Sequence, residues 1–166
     1  MKIFITGRPG AGKSTLIREL IEYAERNEIP YCGVISPEIR KQGIRVGFKI
    51  IALPSMHEEI LASINIKGFP RVSKYGVNVE GIDKIVEIVE DDCKNAKIVF
   101  VDEIGKMELF SRKFENFILK ILNTNKEVVA TLQLSLVKRF EHYGKVYFLR
   151  REIFDKIKSD ILSSLF

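Results

Sequence analysis

Gly7-Arg8-Pro9-Gly10-Ala11-Gly12-Lys13-Ser14-Thr15 has the form G-x-x-x-x-G-K-[ST], and each required position has a physical task. The three glycines let the backbone turn tightly and bring N–H groups against phosphate oxygens. Lys13 supplies a point charge at the β- and γ-phosphates, and the Ser14 hydroxyl can ligate a divalent ion. The flanks fit that geometry. Lys2-Ile3-Phe4-Ile5-Thr6 is a short apolar run of β-formers, and Lys13 to Arg26 carries Leu16, Ile17, Leu20, Ile21 and Ala24 at helical spacing. Strand, glycine loop and helix N-terminus follow without a gap, so the free N–H groups and the dipole of the helix also face the anion. Pro9 stiffens the loop, while Arg8 points either to solvent or toward the terminal phosphate. Residues Gly7 through Thr15 are therefore the expected polyphosphate cradle.

The chain has 166 residues, 46% hydrophobic and 30% charged, enough for one ordinary domain with a full core, and a single domain over residues 1–166 is expected. Lys and Arg number 27 against 22 Asp and Glu, a net charge of +5, but the basic residues are spread along the chain with no run of five like charges. That distribution favours a surface serving small phosphates over a nucleic-acid groove. Cys32 and Cys93 lie far apart in apolar segments without metal-ligand spacing, and read as buried thiols of a reducing cytoplasm. No apolar stretch approaches a membrane span, and Met1 leads straight into a strand, so a soluble cytoplasmic protein without a signal peptide is expected. The lack of Trp and the wealth of Ile, Lys and Glu fit a thermophile's composition.

Downstream, Tyr31 to Ile35 reads as a second strand and completes a βαβ unit. Glu38 to Ile51 then looks like a β-hairpin around Gln42-Gly43, inserted after that strand. Met56 to Ile64 is expected as a short helix, and Gly68-Phe69-Pro70 marks a turn. Arg71 to Asn78 forms a loop or short strand that either contacts nucleotide or faces solvent. From Val79 the pattern is helical, with Ile82, Ile85, Val86, Val89 and Cys93 on one face. Lys97 to Asp102 is a continuous apolar run ending in an acid, as in a buried parallel strand. Ser111 caps a helix bearing Phe114, Phe117, Ile118, Ile121 and Leu122. Glu127–Leu132 is a strand, Leu134–Tyr143 a short helix, Lys145–Leu149 a last strand, and Ile153 to Leu162 belongs to a terminal helix. Alternating strands and helices predict a three-layer α/β fold with a mostly parallel central sheet.

A phosphate cradle needs a metal partner, and Asp102, at the end of its strand, is where that carboxylate belongs, holding Mg²⁺ through water. Glu103 follows at the position from which a carboxylate can orient or deprotonate an attacking water, which makes hydrolysis the leading chemistry. Lys106 and Glu108 face either the site or solvent. His57 and His142 are isolated and receive no role.

Val101-Asp102-Glu103-Ile104-Gly105-Lys106-Met107-Glu108-Leu109-Phe110-Ser111 resembles the extended Walker B segment of the THEP1 family of nucleoside-triphosphatases. The block Gly7 to Thr15, the segment Gly33 to Arg40 with Gly43 and Gly47-Phe48, and the loop Arg71 to Val77 are similar to the same family, over most of Met1 to Leu122. After the last strand, Leu149-Arg150-Arg151-Glu152 departs from its usual pattern. The resemblance implies a P-loop NTPase fold related to kinases and RecA-like ATPases. It also implies Mg²⁺-dependent hydrolysis of ATP, GTP and other nucleoside triphosphates with broad base tolerance. Gly12, Lys13, Ser14 and Thr15 would bind phosphates and metal, Asp102 would serve the metal and Glu103 the water. Two other classes share the motifs: a P-loop kinase of a nucleotide or small molecule, and a nucleotide-switched binding module using the Ser36 to Ile51 arm and the Arg71 to Tyr75 loop. The sequence specifies no protein partner.

Overall fold

The computed structural model describes residues 1–166. The elements run β1 (Lys2–Thr6), α1 (Lys13–Arg26), β2 (Tyr31–Ile35), β3 (Glu38–Lys41), β4 (Ile44–Leu53), β5 (Glu58–Ser63), β6 (Arg71–Val72) and β7 (Tyr75–Val77). They continue with α2 (Val79–Asp92), β8 (Ile98–Ile104), α3 (Arg112–Leu122), β9 (Glu127–Leu132), α4 (Val137–Phe140), β10 (Lys145–Phe148) and α5 (Phe154–Leu165). All strands join one ten-stranded sheet in the order β10-β1-β9-β8-β2-β4-β5-β7-β6, with β3 on β4. Pairing from β10 through β2 is parallel, and every pair beyond β2 is antiparallel. The fold class is the expected three-layer α/β. The sheet, however, is mixed rather than mostly parallel, because the insertion after β2 is a five-stranded extension and not one hairpin.

Within the buried strands, alternate residues serve opposite faces. Phe4, Val99, Val101, Val128 and Ala130 pack with the apolar stripes of α2 and α3. Ile3, Ile5, Ile98, Phe100 and Val129 pack with those of α1 and α5. Burying that apolar surface on both sides aligns the C-terminal ends of β1, β8 and β9 along one rim, where the site lies.

The predicted turn at Gln42-Gly43 is present, both residues having positive φ as a tight hairpin turn requires. The helix expected over Met56 to Ile64 is instead β5. A bulge explains the misreading: Phe48 pairs with Ala62 and Lys49 with Ile60, so Leu61 is an extra residue that turns into the core. Ile60-Leu61-Ala62 therefore lacks the period of two that marks a strand. Arg71 to Val77 forms the β6–β7 hairpin.

The two cysteines correct another expectation. Cys32 and Cys93 are not free thiols but form a disulfide, with their Cα atoms 5.0 Å apart. Cys32 lies on the sheet face covered by α2, and Cys93 ends that helix directly above it, a juxtaposition hidden by a separation of 61 residues. No helix is long and apolar enough to cross a membrane.

Candidate active site

β1 ends at Thr6, whose buried hydroxyl donates to Leu132 O at 2.6 Å and ties the ends of β1 and β9 together. The chain then enters the glycine loop with positive φ at Gly7, Gly10 and Gly12. At Gly7 a Cβ would stand 2.7 Å from Leu149 O, so glycine is required there sterically as well as conformationally. Gly12 opens α1 without any side-chain cap, and the first turn carries no acid. The first i→i−4 bond is Leu16 N to Gly12 O at 2.9 Å. The N–H groups of Lys13, Ser14 and Thr15 precede it and have no partner within the helix, the arrangement that suits an anion.

Asp102 and Glu103 are adjacent on β8, where successive side chains would ordinarily point to opposite faces. A bulge removes the conflict: Val101 pairs with Ala130 and Ile104 with Leu132, so two residues stand opposite Thr131 alone. Both acids consequently line one cavity of about 330 Å³ together with Pro9, Gly10, Lys13 and Ser14. Thr131 Oγ1 donates to Asp102 Oδ1 at 2.6 Å, which fixes the carboxylate and leaves Oδ2 free of protein donors. Lys13 Nζ donates to Gly7 O at 3.0 Å and stands 3.6 Å from Glu103 Oε2. Burial pushes the Glu103 carboxyl above its ordinary pKa, and Asp102 pushes the same way against the pull of Lys13.

Glu108, left open by the sequence, is buried and lines this cavity. Ser36 Oγ donates to its Oε2 at 3.2 Å. A Cβ on Gly105 would stand 3.0 Å from Glu108 Oε1, 3.1 Å from Glu103 Oε1 and 3.2 Å from Gln133 Oε1, so these three oxygens crowd one position and a side chain there would press on all of them. Gln133 Oε1 also accepts from the Lys106 backbone N–H at 2.9 Å.

Sequence reasoning missed Ser36, Glu38, Arg45 and Gln133 as cleft residues. Arg45 pairs with Glu38 at 3.3 Å, donates to Tyr75 Oη at 2.9 Å and lies over the rings of Phe48 and Tyr75. Its only sequence signal was its place in the arm after β2. Arg8 lies apart from the acids. With Arg150 and Arg151 it lines a second cavity of about 570 Å³ on the other side of the loop, where Arg151 Nε donates to Gly10 O at 3.0 Å.

No three His, Cys, Asp or Glu side chains cluster to hold a metal alone. The Ser14 hydroxyl and the Asp102 carboxylate are nevertheless hard oxygen donors in one cavity beside a phosphate cradle. That set fits a small hard cation such as Mg²⁺, which takes one or two protein ligands and completes its shell with water and substrate phosphates.

Residues 2–162 match the family model described as NTPase. The chain belongs to this NTPase family. It is 39% identical to the nucleoside-triphosphatase THEP1 of Methanocaldococcus jannaschii over 99% of both chains. It is 38% identical to the protein of that name from Archaeoglobus fulgidus, covering 97% of this chain and 96% of the relative. The crystal structure of THEP1 from Aquifex aeolicus superposes with a TM-score of 0.83 at 36% identity, covering 99% of each chain. Membership of the NTPase family agrees with the resemblance carried by the glycine loop and the Val101 to Ser111 segment.

Proposed function

We propose that this chain hydrolyses ATP, GTP and other nucleoside triphosphates to the diphosphate and inorganic phosphate, with Mg²⁺ as cofactor. One observation supports this above the rest: the β8 bulge turns both Asp102 and Glu103 into the cavity that holds Lys13 and Ser14. In this reading Gly7 to Thr15 bind the phosphates through backbone N–H groups, and Lys13 exchanges its contacts with Gly7 O and Glu103 for phosphate oxygens. Ser14 and Asp102 hold the magnesium, which supplies charge neutralisation at the β,γ-phosphates.

Glu103 orients a water for in-line attack on the γ-phosphorus and takes its proton as the bond to the β,γ-bridging oxygen breaks. Its raised pKa makes the ionised carboxylate a stronger base than an exposed one. The proton then passes to solvent or to phosphate as the products leave.

The other side of the loop supports the proposed base tolerance. There Phe148 and Leu134 are exposed beside Arg8, Arg150 and Arg151. Apolar and guanidinium faces can stack on any base, and this lining is consistent with broad base tolerance.

The test is phosphate release from ATP, GTP, CTP and UTP with Mg²⁺ and with EDTA. Release should need the ion and vary little among the four bases. Glu103→Gln should retain nucleotide binding while turnover falls by about a hundredfold or more. A variant that turns over at the normal rate would remove Glu103 from the mechanism.

A further inference from the structure

Beside the cleft lies a separate cavity of about 480 Å³, framed by the β6–β7 turn, the segment after β8 and the α4 region. Its polar rim is Arg71, Lys106 and Arg139, and its apolar floor is Leu109, Phe110 and Leu136. No acidic side chain lines it. Neither Arg71 nor Lys106 has a carboxylate within ion-pair distance, and only Arg139 is paired, with Glu115. The site therefore carries uncompensated positive charge in a concave surface, which concentrates anions.

Arg71 is also immobilised. Its Nη1 donates to Ile66 O at 2.9 Å and to Gly68 O at 3.2 Å, and its Nη2 donates to Lys74 O at 2.9 Å. These bonds to neutral carbonyls orient the guanidinium without cancelling its charge, and they leave Nε–H and one Nη2–H as donors. A guanidinium held in place loses little entropy on gripping an oxyanion, and its planar fork suits phosphate.

The rim adds an aromatic surface. Phe69 is 86% exposed and meets Phe110, itself 37% exposed, edge to face at 5.9 Å between ring centroids. Exposed rings next to uncompensated cations suit a ligand that is both planar and anionic. The cavity has small-molecule dimensions, well below the surface that a protein partner covers.

We propose that this cavity binds an organic phosphate carrying an aromatic ring, of the nucleoside-monophosphate class, as a second ligand next to the substrate cleft. Lys106 and Val72 line both cavities, so this ligand shares a wall with the substrate cleft. The proposal does not depend on the hydrolytic reading.

The experiment is calorimetric titration of AMP and GMP into the full chain, first saturated with a non-hydrolysable ATP analogue and Mg²⁺. Adenosine and ribose 5-phosphate serve as probes lacking one half of the ligand. Binding at one site is expected, about tenfold tighter than either fragment, and weakened about tenfold in Lys106→Ala and several-fold in Phe110→Ala. Lys13→Ala should lose the analogue yet keep AMP, which separates this site from the P-loop. The proposal is overturned by AMP binding that the analogue displaces, by binding that survives both cavity variants unchanged, or by no binding at all. Loss of hydrolysis in the parent chain with AMP binding intact would instead overturn only the hydrolytic reading.

Discussion

Glu108 is the only carboxyl side chain among the buried residues, and its environment has a measurable consequence. Burial pushes its pKa up to about 8, and the charges of Glu103 and Asp102 add to the rise. The Ser36 hydroxyl and the Glu108 backbone N–H oppose it. A neutral Glu108 keeps a third negative charge out of a cleft that already sets two carboxylates against a polyphosphate. In the unfolded chain the same carboxyl ionises near its ordinary value of 4.5. Between 4.5 and about 8 the folded state therefore binds more proton than the unfolded state, and this group's contribution to stability falls with rising pH across that window before levelling. Glu108→Gln keeps the shape and cannot ionise. Its melting temperature relative to the parent should climb from pH 5 to pH 8 and then stay constant. A difference independent of pH would mean that Glu108 is ionised in the fold.

At the scale of elements, the segment after β8 leads to α3 through Ser111, which is buried and capped in both directions. Its Oγ accepts from Phe114 N at 3.0 Å and donates to Asp83 Oδ1 at 2.5 Å, joining the start of α3 to α2. Ser111→Ala loses the cap and leaves Asp83 without its donor. The expected destabilisation is about 1–2 kcal/mol, read as a lower denaturant midpoint with unchanged slope. The cap was visible in the sequence because Ser111 immediately precedes an apolar stripe of helical period. The same local logic exposed β1, the glycine loop, α1, α2, β8 and β9, each with its signal within a dozen residues. What stayed hidden depends on pairing across the chain. Leu61 reads as helical until β4 lies beside it, and Arg71 reads as a loop cation until three carbonyls surround it. The candidate site divides the same way: Gly7 to Thr15 and Asp102-Glu103 are contiguous motifs, whereas Ser36, Arg45 and Gln133 reach the cleft through sheet order alone.

At the scale of the whole molecule, the mixed sheet has a parallel half carrying the phosphate loop and an antiparallel half built from the insertion, and the disulfide ties β2, in the parallel half, to the end of α2, the helix that follows the insertion. The loop closed by Cys32 and Cys93 contains the whole insertion, β3 to β7, and all of α2, while β1 and α1 precede it and β8 follows it. Cross-linking across 61 residues restricts the unfolded chain, and the loop-closure model assigns such a link about 4 kcal/mol of stability. Reduction, or the double change Cys32→Ala with Cys93→Ala, should lower the unfolding free energy by an amount of that order. A thiol reagent should titrate no cysteine in the oxidised chain even after it is unfolded, and two after reduction. Because the phosphate loop and the β8 bulge lie outside the closed loop, the reduced chain should hydrolyse nucleotide at the parent rate wherever it remains folded. Thiols reacting in the unfolded, unreduced protein would show that the link is not formed.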